Sequence, residues 1–216
     1  MRERLGQHCW SIKPNNMLEQ LSEELENKKS NVENPDKREA GINFVFEKNP
    51  EMASIGNRER YFQYLDTIFR ESKIKNILYH GGGEDIETFD NTKFNIKLGR
   101  DKLKKRFGLG HYFTGDIKYA SRFGDQIYNV LLNMTSPKVI IIDGKNYEKF
   151  ADVGEVDLNQ LKIDGYDSLI GIADEKYKDA FPDEYVIFDP EQIRILGSKK
   201  DAEEFRKFIN DSLAPK

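Results

Sequence analysis

Beyond Gly124 the chain alternates β-rich runs with turn signals rather than with long helical periods. The runs are Ile127–Met134, Lys138–Ile142, Asp167–Ala173, Tyr185–Asp189 and Gln192–Leu196, and the breaks between them include Ser136-Pro137, Asp143-Gly144, Asp164-Gly165 and Asp189-Pro190. An earlier run, Ile74–His80, leads into Gly81-Gly82-Gly83. Helical spacing frames this block. Arg58–Phe69 places Tyr61, Leu65, Ile68 and Phe69 on one face, Thr114–Phe123 reads as a short helix stopped by Gly124, and Asp201–Leu213 lines up Ala202, Phe205, Ile209 and Leu213. Helix, strand, helix and then strands in quick succession predict an α+β domain, not the regular βα rhythm of a doubly wound sheet.

With 216 residues, the chain suits one domain, or one domain plus an arm. Residues 1–40 are polar and charged and are expected to form an arm with one short helix, where Leu18, Leu21 and Leu25 recur at helical spacing. That thin stripe suits docking on the main body better than capture of a partner. Residues 41–216 are expected to form the main domain. The net charge of −4 gives no global field toward nucleic acid or anionic lipid, so such a partner needs a local basic patch. Cys9 is the only cysteine, which excludes an internal disulfide and a cysteine-based zinc site. No apolar run reaches the roughly 18 residues of a membrane span. The expected home is cytoplasmic, and delivery by a leaderless route would leave no trace in the sequence.

Several catalytic motifs fail. Gly81-Gly82-Gly83 follows a strand, but Glu84-Asp85 stand where a phosphate loop needs Lys and Ser or Thr. Gly108-Leu109-Gly110 lacks the third glycine of a dinucleotide fingerprint. No Gly-x-Ser-x-Gly elbow and no His-Glu-x-x-His helix is present.

What remains is an ordered set: Tyr79-His80-Gly81, then Gly110-His111-Tyr112-Phe113-Thr114 with Ala120-Ser121-Arg122-Phe123-Gly124, then Asp183-Glu184-Tyr185-Val186-Ile187-Phe188-Asp189. Each piece alone has an ordinary structural reading: a polar strand end, core aromatics, a solvated strand start. Together, from about Ile55 to Gly197, they resemble the His-Tyr-Glu class of ADP-ribosyltransferases shared by diphtheria-type toxins and poly(ADP-ribose) polymerases. The nearest likeness is to the ADP-ribosyltransferase domains of phage and bacterial polyvalent proteins. The resemblance implies two packed, mainly antiparallel sheets around an NAD cleft with flanking helices. It also implies NAD⁺ as co-substrate and no metal.

That chemistry breaks the bond between nicotinamide and its ribose, leaving positive charge on the anomeric carbon and ring oxygen, as in glycoside cleavage. By resemblance, His80, Tyr112 and Glu184 are the catalytic set, and His80, Gly81, Tyr112, Phe113, Ser121 and Phe123 contact NAD⁺. His80 orients a ribose hydroxyl. Tyr112 and Phe123 clamp the nicotinamide ring, and the Gly81 backbone meets its carboxamide. Glu184 bonds the 2′-hydroxyl and stabilises the cation, or assists the attacking acceptor. The serine common three residues before the second clamp aromatic is Ala120 here, with Ser121 as the expected substitute. Strand alternation turns His111 away from Tyr112, as a surface or supporting residue.

The leading expectation is mono-ADP-ribosyl transfer to a protein or nucleic acid. The alternatives are NAD⁺ glycohydrolysis and a non-catalytic interaction module that keeps the fold. A basic stretch with Lys93, Lys97, Arg100, Lys102, Lys104, Lys105 and Arg106 is expected to steer the NAD⁺ pyrophosphate, to recruit an acidic acceptor surface, or simply to be a solvated loop. Toxin, phage modifier and defence factor all remain open as biological roles.

Overall fold

The computed structural model describes residues 35–83, 85–91, 110–142, 158–173, 176 and 182–213. The expected helix near Leu18–Leu25 and the basic stretch from Lys93 to Arg106 lie outside them, so the fold described is that of the unit from Pro35 onward.

The chain enters through α1 (Pro35–Lys48), α2 (Glu51–Ile55) and α3 (Arg58–Leu65). Helix α1 begins before the expected 40/41 boundary and crosses it, and it buries Ile42, Val45 and Phe46. In α3 the Asn57 side chain caps the N-terminus by accepting from Arg60 N at 2.9 Å. The helix stops four residues short of the expected Phe69. Thr67 N and Ile68 N bond back to Tyr64 and Leu65 carbonyls in tighter turns, and Phe69 takes a positive φ of 48°.

Seven strands follow: β1 (Leu78–Gly82), β2 (His111–Thr114), β3 (Gln126–Leu132), β4 (Pro137–Ile142), β5 (Ser168–Ala173), β6 (Glu184–Ile187) and β7 (Ile193–Ile195). Short helices α4 (Ile117–Ala120) and α5 (Leu158–Ile163) and the terminal α6 (Lys199–Leu213) complete the described elements. The α+β expectation holds. The strands form one ladder-connected sheet in the order β4-β5-β6-β2-β1-β3-β7, where two sheets were expected. The reason lies at its centre: β1 and β2 share a single registered pair, Tyr79 with Thr114. By contrast β1 pairs with β3 along its whole length, Leu78 to Gly82. The sheet is therefore two well-paired halves joined by one narrow seam.

Helices α1, α3 and α6 cover the β1-β3-β7 half. Tyr61, Tyr64, Phe205, Met52 and Leu65 pack there, with Tyr61 and Phe205 edge to face at 5.0 Å. Asp201, fully buried at the start of α6, accepts from Tyr61 Oη at 2.5 Å, Tyr64 Oη at 3.1 Å and Gly197 N at 2.8 Å. A buried carboxyl needs such partners. The other half has its own cluster of Leu169, Val186 and Phe188, with Tyr112, Ile140 and Leu161 against it. Among the described residues, no helix is long and apolar enough to cross a membrane.

Candidate active site

The seam between β1 and β2 gathers most of the expected residues. Thr114 lies opposite Glu184 and Tyr112 opposite Val186, so the Tyr112 phenol and the Glu184 carboxyl leave the sheet on one face. Tyr79 shares that face through Thr114, and so does Gly81 two residues on. His80 points to the other face, where its ring packs on Phe113 at 5.5 Å and on Phe89 at 5.0 Å.

The imidazole nevertheless reaches the seam. Its Nδ1 lies 2.8 Å from the Tyr112 carbonyl, two residues beyond the last ladder pair. A carbonyl only accepts, so Nδ1 carries the hydrogen and Nε2 of the neutral ring presents a lone pair. Burial pushes the His80 pKa down, with the bond to Tyr112 acting in the opposite sense, so the neutral ring prevails at pH 7.

Helix α4 closes the site from above β1. Asp116, two residues inside the expected start at Thr114, caps it by accepting from Lys118 N at 2.8 Å and Tyr119 N at 3.2 Å. The turn after it packs backbone to backbone on β1. A Cβ on Gly81 would stand 1.9 Å from the Ala120 carbonyl oxygen, and one on Gly124 would stand 2.1 Å from the Gly82 oxygen. This close approach sets Phe123 over Gly81 and leaves its side chain 57% exposed.

Tyr119, which sequence reasoning passed over, ties these pieces together. Its hydroxyl donates to Glu184 Oε1 at 3.1 Å, and its ring meets Phe123 edge to face at 5.3 Å. Burial pushes the Glu184 pKa up, and the bond from Tyr119 pulls it back. The Tyr112 phenol is held above its ordinary range, first by burial and then by the Glu184 charge, so it stays protonated. A line of contacts thus runs from His80 to the Tyr112 carbonyl, from Tyr112 to Glu184, on to Tyr119 and Phe123, and back to Gly81.

One expected NAD⁺ contact, Phe113, does not fit its role. Phe113 is only 2% exposed and supports the His80 ring from behind. Ser121 is exposed, and its hydroxyl donates to the Lys118 carbonyl at 2.8 Å at the end of its own helix. His111 is a supporting residue and not a surface one. It is 5% exposed, stacks edge to face on Phe89 at 5.1 Å and meets Asn91 Oδ1 through Nε2 at 3.1 Å. Burial, and secondarily His80, push its pKa down to about 4. Phe89 itself, lying between the two histidines and Phe113, carried no signal beyond being aromatic.

A cavity of about 700 Å³ runs along β3 and β7 to the start of α6, and His80, Tyr112 and Glu184 do not line it. No group of three His, Cys, Asp or Glu side chains suited to a metal occurs among the described residues.

The described unit is thus an α+β fold whose sheet narrows at the β1–β2 seam, with His80, Tyr112 and Glu184 on β1, β2 and β6. A family model for the ADP-ribosyltransferase in polyvalent proteins matches residues 74–203, more than half of the chain. The chain belongs to that family, as the resemblance implied. None of the curated proteins matches it.

Proposed function

We propose that the protein cleaves NAD⁺ at the nicotinamide–ribose bond and passes single ADP-ribose units to a macromolecular acceptor. The observation that carries this reading is the placement of the Glu184 carboxyl. It is half-buried, hydrogen-bonded to Tyr119, and on the same face as Tyr112, Gly81 and the exposed Phe123. In the reaction the C–N bond breaks with its electron pair leaving on nicotinamide. The acceptor's nucleophile then bonds the anomeric carbon and gives up its proton.

Each group has a part in this scheme. Tyr112 and Phe123 hold the departing ring between them, with the Gly81 backbone toward its carboxamide. His80 holds the Tyr112 carbonyl through Nδ1 from the opposite face of the sheet and so steadies the strand that carries Tyr112. Glu184 faces the charge that develops as the bond breaks. A carboxylate about 4 Å from that charge is worth roughly 4 kcal/mol at an effective dielectric near 20, several hundredfold to a thousandfold in rate. The basic residues Lys97, Arg100, Lys102, Lys104, Lys105 and Arg106 are the proposed contact with the NAD⁺ pyrophosphate or the acceptor.

Incubation with NAD⁺ labelled in its adenylate part and whole-cell lysate, with and without nuclease, tests the reading. Label joined to protein, or to nuclease-sensitive material, supports transfer and names the acceptor class. Free ADP-ribose alone replaces transfer by hydrolysis, and intact NAD⁺ leaves an interaction module. A nucleic-acid acceptor further predicts modification that falls steeply as salt rises, and a flat response argues for protein.

A further inference from the structure

We infer that Tyr119 is the positioning residue of this active site, fixing the Glu184 carboxyl through its hydroxyl and the Phe123 ring through its aromatic edge. The inference rests on the transferase reading above and deepens it by adding a residue outside the histidine, tyrosine and glutamate set.

The geometry comes from three elements. Asp116 caps the first turn of α4 and bonds Tyr119 N at 3.2 Å, which anchors the backbone from which the phenol extends. The Tyr119 hydroxyl then spans to β6 and donates to Glu184 Oε1 at 3.1 Å. The same ring meets Phe123, one helical turn on, at 5.3 Å, and the Arg122 guanidinium lies over it at 5.4 Å. One carboxylate oxygen is thus fixed by a protein donor, which leaves the other to a substrate hydroxyl. Among the described residues, the titratable groups facing Glu184 are Tyr119 from α4 and Tyr112 from β2, while β5 presents Gly171 opposite it and Asp183 bonds Ala173 N at 3.1 Å.

The two contacts of Tyr119 are separable by substitution. Tyr119→Phe keeps the ring against Phe123 and removes only the donor. Its Michaelis constant for NAD⁺ should stay near the wild-type value, while kcat falls by roughly ten-fold. Loss of a bond that favours the ionised carboxyl should also move the acid limb of the pH–rate profile upward. Tyr119→Ala removes the ring as well and should raise the Michaelis constant.

The experiment measures kcat, KM and the acid limb for wild type, Tyr119→Phe, Tyr119→Ala and Glu184→Gln. It also follows the Glu184 carboxyl titration in the free protein by NMR, which needs no turnover. The pattern just described, with the carboxyl titrating higher in Tyr119→Phe, supports the inference. Wild-type kcat and an unshifted carboxyl in Tyr119→Phe, beside a disabled Glu184→Gln, overturn it and leave the function standing. A Glu184→Gln protein as active as wild type overturns the function and this inference with it, whatever the titration shows.

Discussion

Glu184 and Tyr112 share a face of the β2–β6 pair, and their burdens differ in kind. Glu184→Gln keeps shape and hydrogen-bonding reach but removes the charge, so NAD⁺ binding should persist while kcat drops several hundredfold or more. Kinetics beside an equilibrium binding measurement check this, and an unchanged kcat removes Glu184 from the mechanism. Tyr112→Ala should instead weaken donor binding first, seen as a raised Michaelis constant. His80, Tyr112 and Glu184 stood out in the sequence only through the resemblance, which orders a histidine, a tyrosine and a glutamate along the chain. Tyr119 was not, because a tyrosine one helical turn before another aromatic reads equally well as packing, and its link to Glu184 spans distant parts of the chain. Phe113, a donor contact by resemblance, is instead buried, because strand alternation sends the neighbour of Tyr112 to the opposite face.

Short elements carry the site, and backbone contact holds them together. The turn after α4 sits so close to β1 that Gly81→Ala would drive a methyl group into the Ala120 carbonyl. We expect that substitution to cost about 1–3 kcal/mol and to displace Phe123 from the seam, lowering both the melting temperature and the affinity for NAD⁺. Calorimetry and a binding titration measure the two effects, and an unperturbed Gly81→Ala protein would refute the close packing. The sequence showed a glycine after the histidine and suggested room for the substrate, whereas the space a Cβ would fill is taken by protein. Element types were largely legible, as the β-rich runs and the terminal helix show. Element ends were not. The strand expected over Ile74–His80 pairs instead over Leu78–Gly82, because Ile74 and Ile77 turn into the core before the ladder begins and the glycines can pair with Ile127 and Gln126.

At the scale of the whole molecule, two halves of a sheet meet at one registered pair, and buried polar groups make their union sensitive to pH. His111 is neutral in the fold down to about pH 4, while in the unfolded chain it takes a proton near its ordinary value of about 6.5. Between those values the unfolded state binds more protons, so stability should fall as pH drops through that interval. His80, shifted in the same direction, adds to the slope, and the raised carboxyls of Glu184 and Asp201 oppose it at its acid end. Melting temperatures from pH 7 to 4.5 should decline, less steeply in His111→Gln, and parallel curves would contradict this assignment. The α+β class was legible from the succession of strands. The single seam was not, since nothing in strand composition reveals how many pairs two strands share. The most direct test of the whole account is a crystal structure with a non-hydrolysable NAD⁺ analogue. The account predicts its nicotinamide ring between Tyr112 and Phe123, with the adjoining ribose against Glu184. An analogue seated elsewhere, as in the cavity along β3 and β7, with Glu184 untouched, would contradict it.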